Sequence, residues 1–221
     1  MLDTAAAGSA SLLFLAAIGL AGACLGVLAD AVVRRALPQL AAAATVRLGI
    51  TTAAVTFVLS ALLAWRFGSA PELPAYVLLG VFAVQLARID IMHHLLPNRL
   101  IGPLLGAGLA LLAFAALIQG TAGDLVRGLA GSAILFVFYL ILALTSGNGL
   151  GMGDVKLAAP LGLYLGFLGW SQLFYGGAFA FVAGGVVSTV ILLKNRQNKP
   201  KEVAYGPSML AAGLAVILLH S

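Results

Sequence analysis

Asp90 and Asp154 are the acidic residues best placed for chemistry in a chain that is otherwise strongly apolar. They are 64 residues apart, and each has a basic residue two positions away, Arg88 and Lys156. Two carboxyl groups held about 3 Å apart cannot both ionise easily. One then stays protonated and polarises a substrate carbonyl, while the other takes a proton from water. A pair of this kind performs aspartic-protease chemistry without a metal ion or a covalent intermediate.

The segment before Asp154 is rich in glycine, which has no side chain and tolerates unusual backbone angles. Non-helical backbone is tolerated at membrane depth where it lines a watery cavity. We therefore expect an active-site loop that admits a peptide to the two acids. Its members would be Gly147, Gly149, Gly151, Gly153 and Lys156.

A structural alternative stays open for both aspartates, because each could simply cap a helix at the membrane interface. Asp154 precedes an apolar run and could cap a helix that begins near Val155. Four other acidic residues are interpreted as solvated surface charges: Asp3, Glu72, Asp124 and Glu202. The spacing of Asp124 and Arg127 allows an ion pair within one helix.

The composition predicts an integral membrane protein. The chain has 221 residues, of which 62% are hydrophobic and 9% are charged. Soluble domains carry about 25% charged residues. The apolar surface is too large for one water-soluble core, so we predict an all-α, polytopic transmembrane bundle and a single domain over residues 1–221.

Charged residues delimit about eight spans, since crossing the bilayer takes about 20 helical residues. Seven apolar segments contain these spans: residues 4–29, 48–65, 73–87, 100–123, 128–153, 157–193 and 203–220. Residues 157–193 contain no charge and are long enough for two short spans. We expect the break between these two spans near the sequence "GFLGWSQ".

The basic residues predict the orientation, because cytoplasmic loops of membrane proteins are enriched in Lys and Arg. With both termini outside, ten of the twelve basic residues are inside and only Arg66 and Arg127 are outside. Both aspartates then lie at inner ends of spans. This distribution explains the net charge of +5 through topology, so we predict no nucleic-acid partner. One cysteine, Cys24, and three histidines predict no metal site or cofactor.

Four sequence motifs resemble those of the type IV prepilin peptidases. "GMGDVK" (151–156) contains the G-x-G-D pattern of membrane aspartyl proteases, followed by Lys156. "ARIDIMHHLLPNRL" (87–100) resembles the first catalytic motif. "AYGPSMLAAG" (204–213) resembles the Gly-Pro motif that opens the final helix, and "CLGVLADAVVRRALP" (24–38) resembles the end of the first.

This resemblance implies an enzyme of the inner membrane that removes the basic leader from prepilins or pseudopilins at the cytoplasmic face. Asp90 and Asp154 match the catalytic pair of the family. Residues 36–46 stand where larger members have a cysteine-rich cytoplasmic insert, so N-methylation of the product is doubtful. Asp30 stands where asparagine is more usual; it could contact the leader, although pairing with Arg34 is favoured.

Two other functions compete with the peptidase. A small ion-coupled transporter could use Asp90 and Asp154 as a proton relay, since acidic groups at membrane depth commonly serve transport. We see no internal symmetry between the halves of the sequence that such a transporter would be expected to show. A non-catalytic subunit of a pilus or secretion machine is the third possibility.

Overall fold

A computed structural model describes residues 11–36, 46–145, 150–194 and 205–219. These residues form eight α-helices, so the predicted all-α architecture is confirmed. The helices are α1 (Leu12–Ala36), α2 (Val46–Phe67), α3 (Leu73–His93), α4 (Asn98–Gln119), α5 (Ala122–Thr145), α6 (Met152–Leu168), α7 (Trp170–Lys194) and α8 (Gly206–Leu219).

Six helices are long and apolar enough to cross a bilayer, and the protein is therefore a multi-pass membrane protein. These are α1 to α5 and α7. The other two are shorter, with 17 residues in α6 and 14 in α8. The predicted break in residues 157–193 is confirmed, because α6 ends at Leu168 and α7 begins at Trp170.

Helices α1 and α3 extend well beyond the apolar segments that predicted them. α1 continues to Ala36, and its last turn carries Arg34 and Arg35, which favour a helix C-terminus. α3 continues to His93, so Asp90 lies inside this helix rather than beyond its end. Apolar content locates the membrane-embedded part of a helix, but backbone hydrogen bonding continues into the polar flanks.

Contacts divide the chain into two compact units, residues 1–85 and 86–221. In the first unit, Gly22 of α1 lies directly against Ser60 of α2, and Gly26 lies against Thr56. Gln85 Nε2 donates a 3.1 Å hydrogen bond to the carbonyl of Gly26. Small residues allow close helix contact here, as is common inside membranes. The single domain predicted over residues 1–221 stays a prediction.

α6 is the central helix of the second unit and contacts α4, α5, α7 and α8. Most of its residues are buried, as expected for a helix that is apolar on all sides. On α5, Gly128 and Gly131 pack against α6, where Gly162 and Gly166 leave room for the backbones to approach. The antiparallel register of this pair sets which residues of α5 lie level with the beginning of α6.

Arg127 of α5 fixes the other end of this helix pair. Its guanidinium donates to the carbonyls of Gly166 and Phe167, at 2.7 and 2.6 Å, where α6 ends. These carbonyls have no partner within the helix, so a cationic donor stabilises them. The predicted ion pair with Asp124 is confirmed at 2.9 Å.

Candidate active site

Asp90 lies in the last turn of α3, where its side chain contacts the beginning of α8. The residue is 4% exposed, and its Oδ2 accepts a 3.0 Å hydrogen bond from the backbone N–H of Gly206. The first N–H groups of a helix have no acceptor within the helix, and the Asp90 carboxyl is the acceptor for one of them. The following residue, Pro207, has no N–H to satisfy and suits the first turn. Asp90 is thus tied to α8 rather than exposed at the membrane interface.

α3 ends just after Asp90. The N–H of His94 donates a 2.8 Å hydrogen bond to the carbonyl of Asp90, and His94 has a φ of 51°. A left-handed residue commonly ends a helix, although glycine or asparagine is the usual choice. The exposed His94 side chain is also within electrostatic range of Asp90.

Asp154 lies in the first turn of α6, and it is not the N-cap residue of a helix beginning near Val155. The helix begins at Met152 after the N-cap residue Gly151, whose backbone N–H interacts with the Asp154 carboxyl. Asp154 is 6% exposed, and its backbone N–H donates to the carbonyl of Gly151 at 3.0 Å. Its buried Oδ1 has no hydrogen-bond partner among the described residues. A buried polar atom in this state needs a functional or structural explanation.

Leu96 brings the surroundings of the two aspartates together. A methyl group added to Gly153 would lie 2.8 Å from Leu96 Cβ, and one added to Gly206 would lie 3.2 Å from Leu96 Cδ1. Gly153 precedes Asp154, and Gly206 binds Asp90. The Leu96 side chain therefore lies next to a neighbour of each aspartate. The two carboxyl groups are also close enough to interact electrostatically.

The glycines before Asp154 act differently from the loop expected in the sequence. Gly151 has φ −72° and ψ 144°, which any residue can adopt, and Gly153 lies inside α6. Unusual backbone angles are therefore not what these two positions require. The absence of a side chain matters instead, because Leu96 fills the space beside Gly153. Gly147 and Gly149 lie outside the described residues.

Lys156 connects the two sequence motifs. Its Nζ donates a 3.1 Å hydrogen bond to Oδ1 of Asn98, the first residue of α4. The observed bond holds the beginning of α6 beside the beginning of α4.

Asp30 belongs to the first unit and has a partner there. It is 2% exposed, and its Oδ2 accepts hydrogen bonds from Nε of Arg34, at 2.9 Å, and from Nη2. The pairing predicted from the four-residue spacing is confirmed. Contact between Asp30 and a substrate leader stays a prediction.

Two tyrosines near the aspartates were not predicted as site residues. The rings of Tyr139 and Tyr205 are 6.4 Å apart at 71°, and both residues interact electrostatically with Asp154. The hydroxyl of Tyr205 donates to the carbonyl of Phe181 at 2.8 Å. In the sequence, Tyr139 is one aromatic residue among many in an apolar run.

The described part of the site has the groups that acid–base hydrolysis requires. Two buried carboxyl groups influence each other, and each of them interacts with a backbone N–H, that of Gly206 for Asp90 and that of Gly151 for Asp154. Within the described ranges, no group of three or more His, Cys, Asp or Glu side chains could hold a metal ion.

Comparisons with known proteins point to one family. Residues 77–189 match the profile of the type IV leader peptidase family. The chain is 33% identical over 163 residues to a prepilin leader peptidase/N-methyltransferase of Stutzerimonas stutzeri, covering 72% of this chain and 54% of the relative. It is 30% identical over 164 residues to a protein of that name from Pseudomonas aeruginosa, covering 74% and 55%. The chain thus spans about half the length of these relatives. No solved structure matches it.

Proposed function

Because the chain belongs to the type IV leader peptidase family, we propose that it is a membrane aspartic endopeptidase whose catalytic pair is Asp90 and Asp154. The observation that carries this proposal is the burial of both carboxyl groups, with Leu96 packed against Gly153, next to Asp154, and near Gly206, which binds Asp90. Buried acidic groups in membrane helices are costly, and they usually serve a function.

The hydrogen bonds suggest a separate role for each acid. Asp90 receives the N–H of Gly206, and a donor of this kind stabilises a negative charge. Asp90 is therefore the ionised member, which takes a proton from water. Because two adjacent carboxyl groups do not both ionise easily, Asp154 is then the protonated member, which donates to the oxygen of the scissile carbonyl.

Hydrolysis then follows in two balanced steps. Water oxygen adds to the carbonyl carbon as Asp90 takes its proton and Asp154 protonates the carbonyl oxygen. The resulting tetrahedral diol collapses as Asp154 takes back a proton and Asp90 gives its proton to the leaving nitrogen. The carbon–nitrogen bond breaks, and both carboxyl groups return to their starting states.

The proposed substrates are prepilins or pseudopilins, from which the enzyme removes the basic leader. The relatives carry the name prepilin leader peptidase/N-methyltransferase, and the proposal for this chain includes the peptidase step alone. The proposed location is the inner membrane, with the active site facing the cytoplasm and both termini outside. The excess of basic residues in the loops assigned to the inside supports this orientation.

The proposal can be tested by expressing the protein with a panel of prepilins and following loss of the leader on a gel. Wild type should cut at least one precursor, while Asp90→Asn and Asp154→Asn should cut none at equal expression. Asp124→Asn is the matched control, because this acid pairs with Arg127 on α5. Cleavage by either dyad variant at the wild-type rate would contradict the proposed pair.

The same experiment separates the competing functions. A non-catalytic assembly subunit would support pilus assembly equally well with either dyad variant. A proton-coupled transporter would lose uptake in proteoliposomes without accumulating precursor. The family match gives no support to the transporter.

A further inference from the structure

Tyr139 has a buried hydroxyl group that the proposed reaction does not yet use. The residue is 0% exposed, and its hydroxyl has no hydrogen-bond partner among the described residues. A hydroxyl group buried without a partner is unfavourable, and native structures seldom retain one. We therefore expect the Tyr139 hydroxyl to have a hydrogen-bond partner nearby.

The register of α5 and α6 places Tyr139 level with Asp154. Gly131 of α5 lies directly against Gly162 of α6. Tyr139 follows Gly131 by eight residues, and Asp154 precedes Gly162 by eight residues. Because the helices are antiparallel, both steps lead about two turns in the same direction. Tyr139 therefore lies opposite the first turn of α6.

A second unpartnered atom lies at this level. Oδ1 of Asp154 is buried without a partner among the described residues, and Tyr139 interacts electrostatically with Asp154. A phenol is a donor, and a carboxyl oxygen is an acceptor, so the two groups are chemically complementary. The two groups are not bonded directly, and one water molecule between them would satisfy both.

Neighbouring rings leave Tyr139 little freedom to turn elsewhere. Its ring packs edge-on against Tyr205 and against Phe138. Tyr205 is itself fixed, because its hydroxyl donates to Phe181 and its ring lies directly against Gly184. The other tyrosine in the cluster thus has its own partner, and Tyr139 is the one with a donor to spare.

We propose that Tyr139 is a positioning residue that hydrogen-bonds through one water molecule to Oδ1 of Asp154 and orients this carboxyl group toward Asp90 and the substrate. This inference rests on the proposed peptidase function and deepens it. Without the Tyr139 hydroxyl, the Asp154 carboxyl group can rotate. A smaller fraction of enzyme molecules then directs the Asp154 proton toward the scissile carbonyl. The effect should therefore fall on the catalytic step rather than on substrate binding.

The first test compares Tyr139→Phe with the matched control Tyr164→Phe in purified protein. Tyr164 is an equally buried tyrosine on α6, ten residues after Asp154. Its ring lies against Gly108 of α4. Tyr139→Phe should lower kcat about 10- to 100-fold with KM within about twofold and an unchanged Tm. Tyr164→Phe should keep kcat within about twofold. An unchanged kcat in Tyr139→Phe would overturn the proposal.

The second test does not depend on cleavage. In infrared difference spectra of the whole protein, the Asp154 carboxyl band is identified by its loss in Asp154→Asn. This band should shift in Tyr139→Phe and stay in place in Tyr164→Phe. A band that does not move in Tyr139→Phe would overturn the positioning role even if prepilin cleavage is observed. A shifted band in a protein that cuts no prepilin would instead count against the proposed function alone.

Discussion

The backbone N–H of Gly206 donates a 3.0 Å hydrogen bond to Oδ2 of Asp90, across 116 residues of sequence. This bond places the beginning of α8 beside the last turn of α3 and leaves no room for a side chain at position 206. A methyl group there would lie 2.8 Å from the same carboxyl oxygen. The glycine of the "YGPS" sequence therefore both binds Asp90 and makes space for it.

Gly206→Ala should lower kcat/KM at least about 100-fold, because the added methyl group displaces the carboxylate that acts as base. The rate of leader removal measures this effect. Gly106→Ala is the matched control, since nothing lies within 4 Å of the added group, and it should cleave as wild type does. Normal activity in Gly206→Ala would show that Asp90 does not depend on its contact with α8.

The bond between Lys156 and Asn98 should contribute to activity by holding α6 beside α4. Lys156→Met and Asn98→Leu should each lower kcat/KM about 3- to 10-fold, which corresponds to a hydrogen bond of about 1 kcal/mol. The double variant should be no worse than either single variant, because both remove the same bond. Asn98→Asp retains an acceptor and should stay near wild type. Additive losses in the double variant would contradict this coupling.

Much of the fold follows from the sequence, because apolar length and charge positions report directly on membrane insertion. The break after Leu168 is one example, since a run of 37 uncharged residues is too long for one span. The pairing of Asp30 with Arg34 is another, since a four-residue spacing fixes neighbours on a helix. Both inferences depend only on local geometry.

The rest of the site depends on contacts between distant helices, which local patterns do not contain. Nothing near Tyr139 in the sequence indicates that it lies level with Asp154, because this depends on the register set by Gly131 and Gly162. The glycines before Asp154 indicated an unusual backbone, whereas Gly153 provides space for Leu96. A glycine in the sequence is equally consistent with an unusual backbone conformation and with a need for space. Only the packing in the structure distinguishes these two reasons.

Gly162→Ala should destabilise the protein, because the added methyl group would meet the backbone carbonyl of Gly131. Overpacking of this kind costs about 1–3 kcal/mol when the obstacle cannot move. Thermal unfolding in detergent should therefore show a Tm several degrees below wild type. Gly106→Ala should match or slightly exceed wild type, since alanine is the better helix former. Equal Tm values for the two variants would contradict the close α5–α6 contact.

The ion pair of buried Asp30 and exposed Arg34 should stabilise α1 without contributing to substrate recognition. Arg34→Met removes a solvent-exposed partner from the Asp30 carboxylate, which costs up to about 1 kcal/mol. Its Tm should therefore fall by a few degrees, while Asp30→Asn combined with Arg34→Met should recover part of the loss. If Asp30 instead bound the basic leader, Asp30→Asn would raise KM for prepilins and leave KM unchanged for a precursor whose leader lysines and arginines are replaced by glutamine. We expect KM to stay within about twofold of wild type for both precursors, since the Asp30 carboxylate already has a cation bound to it.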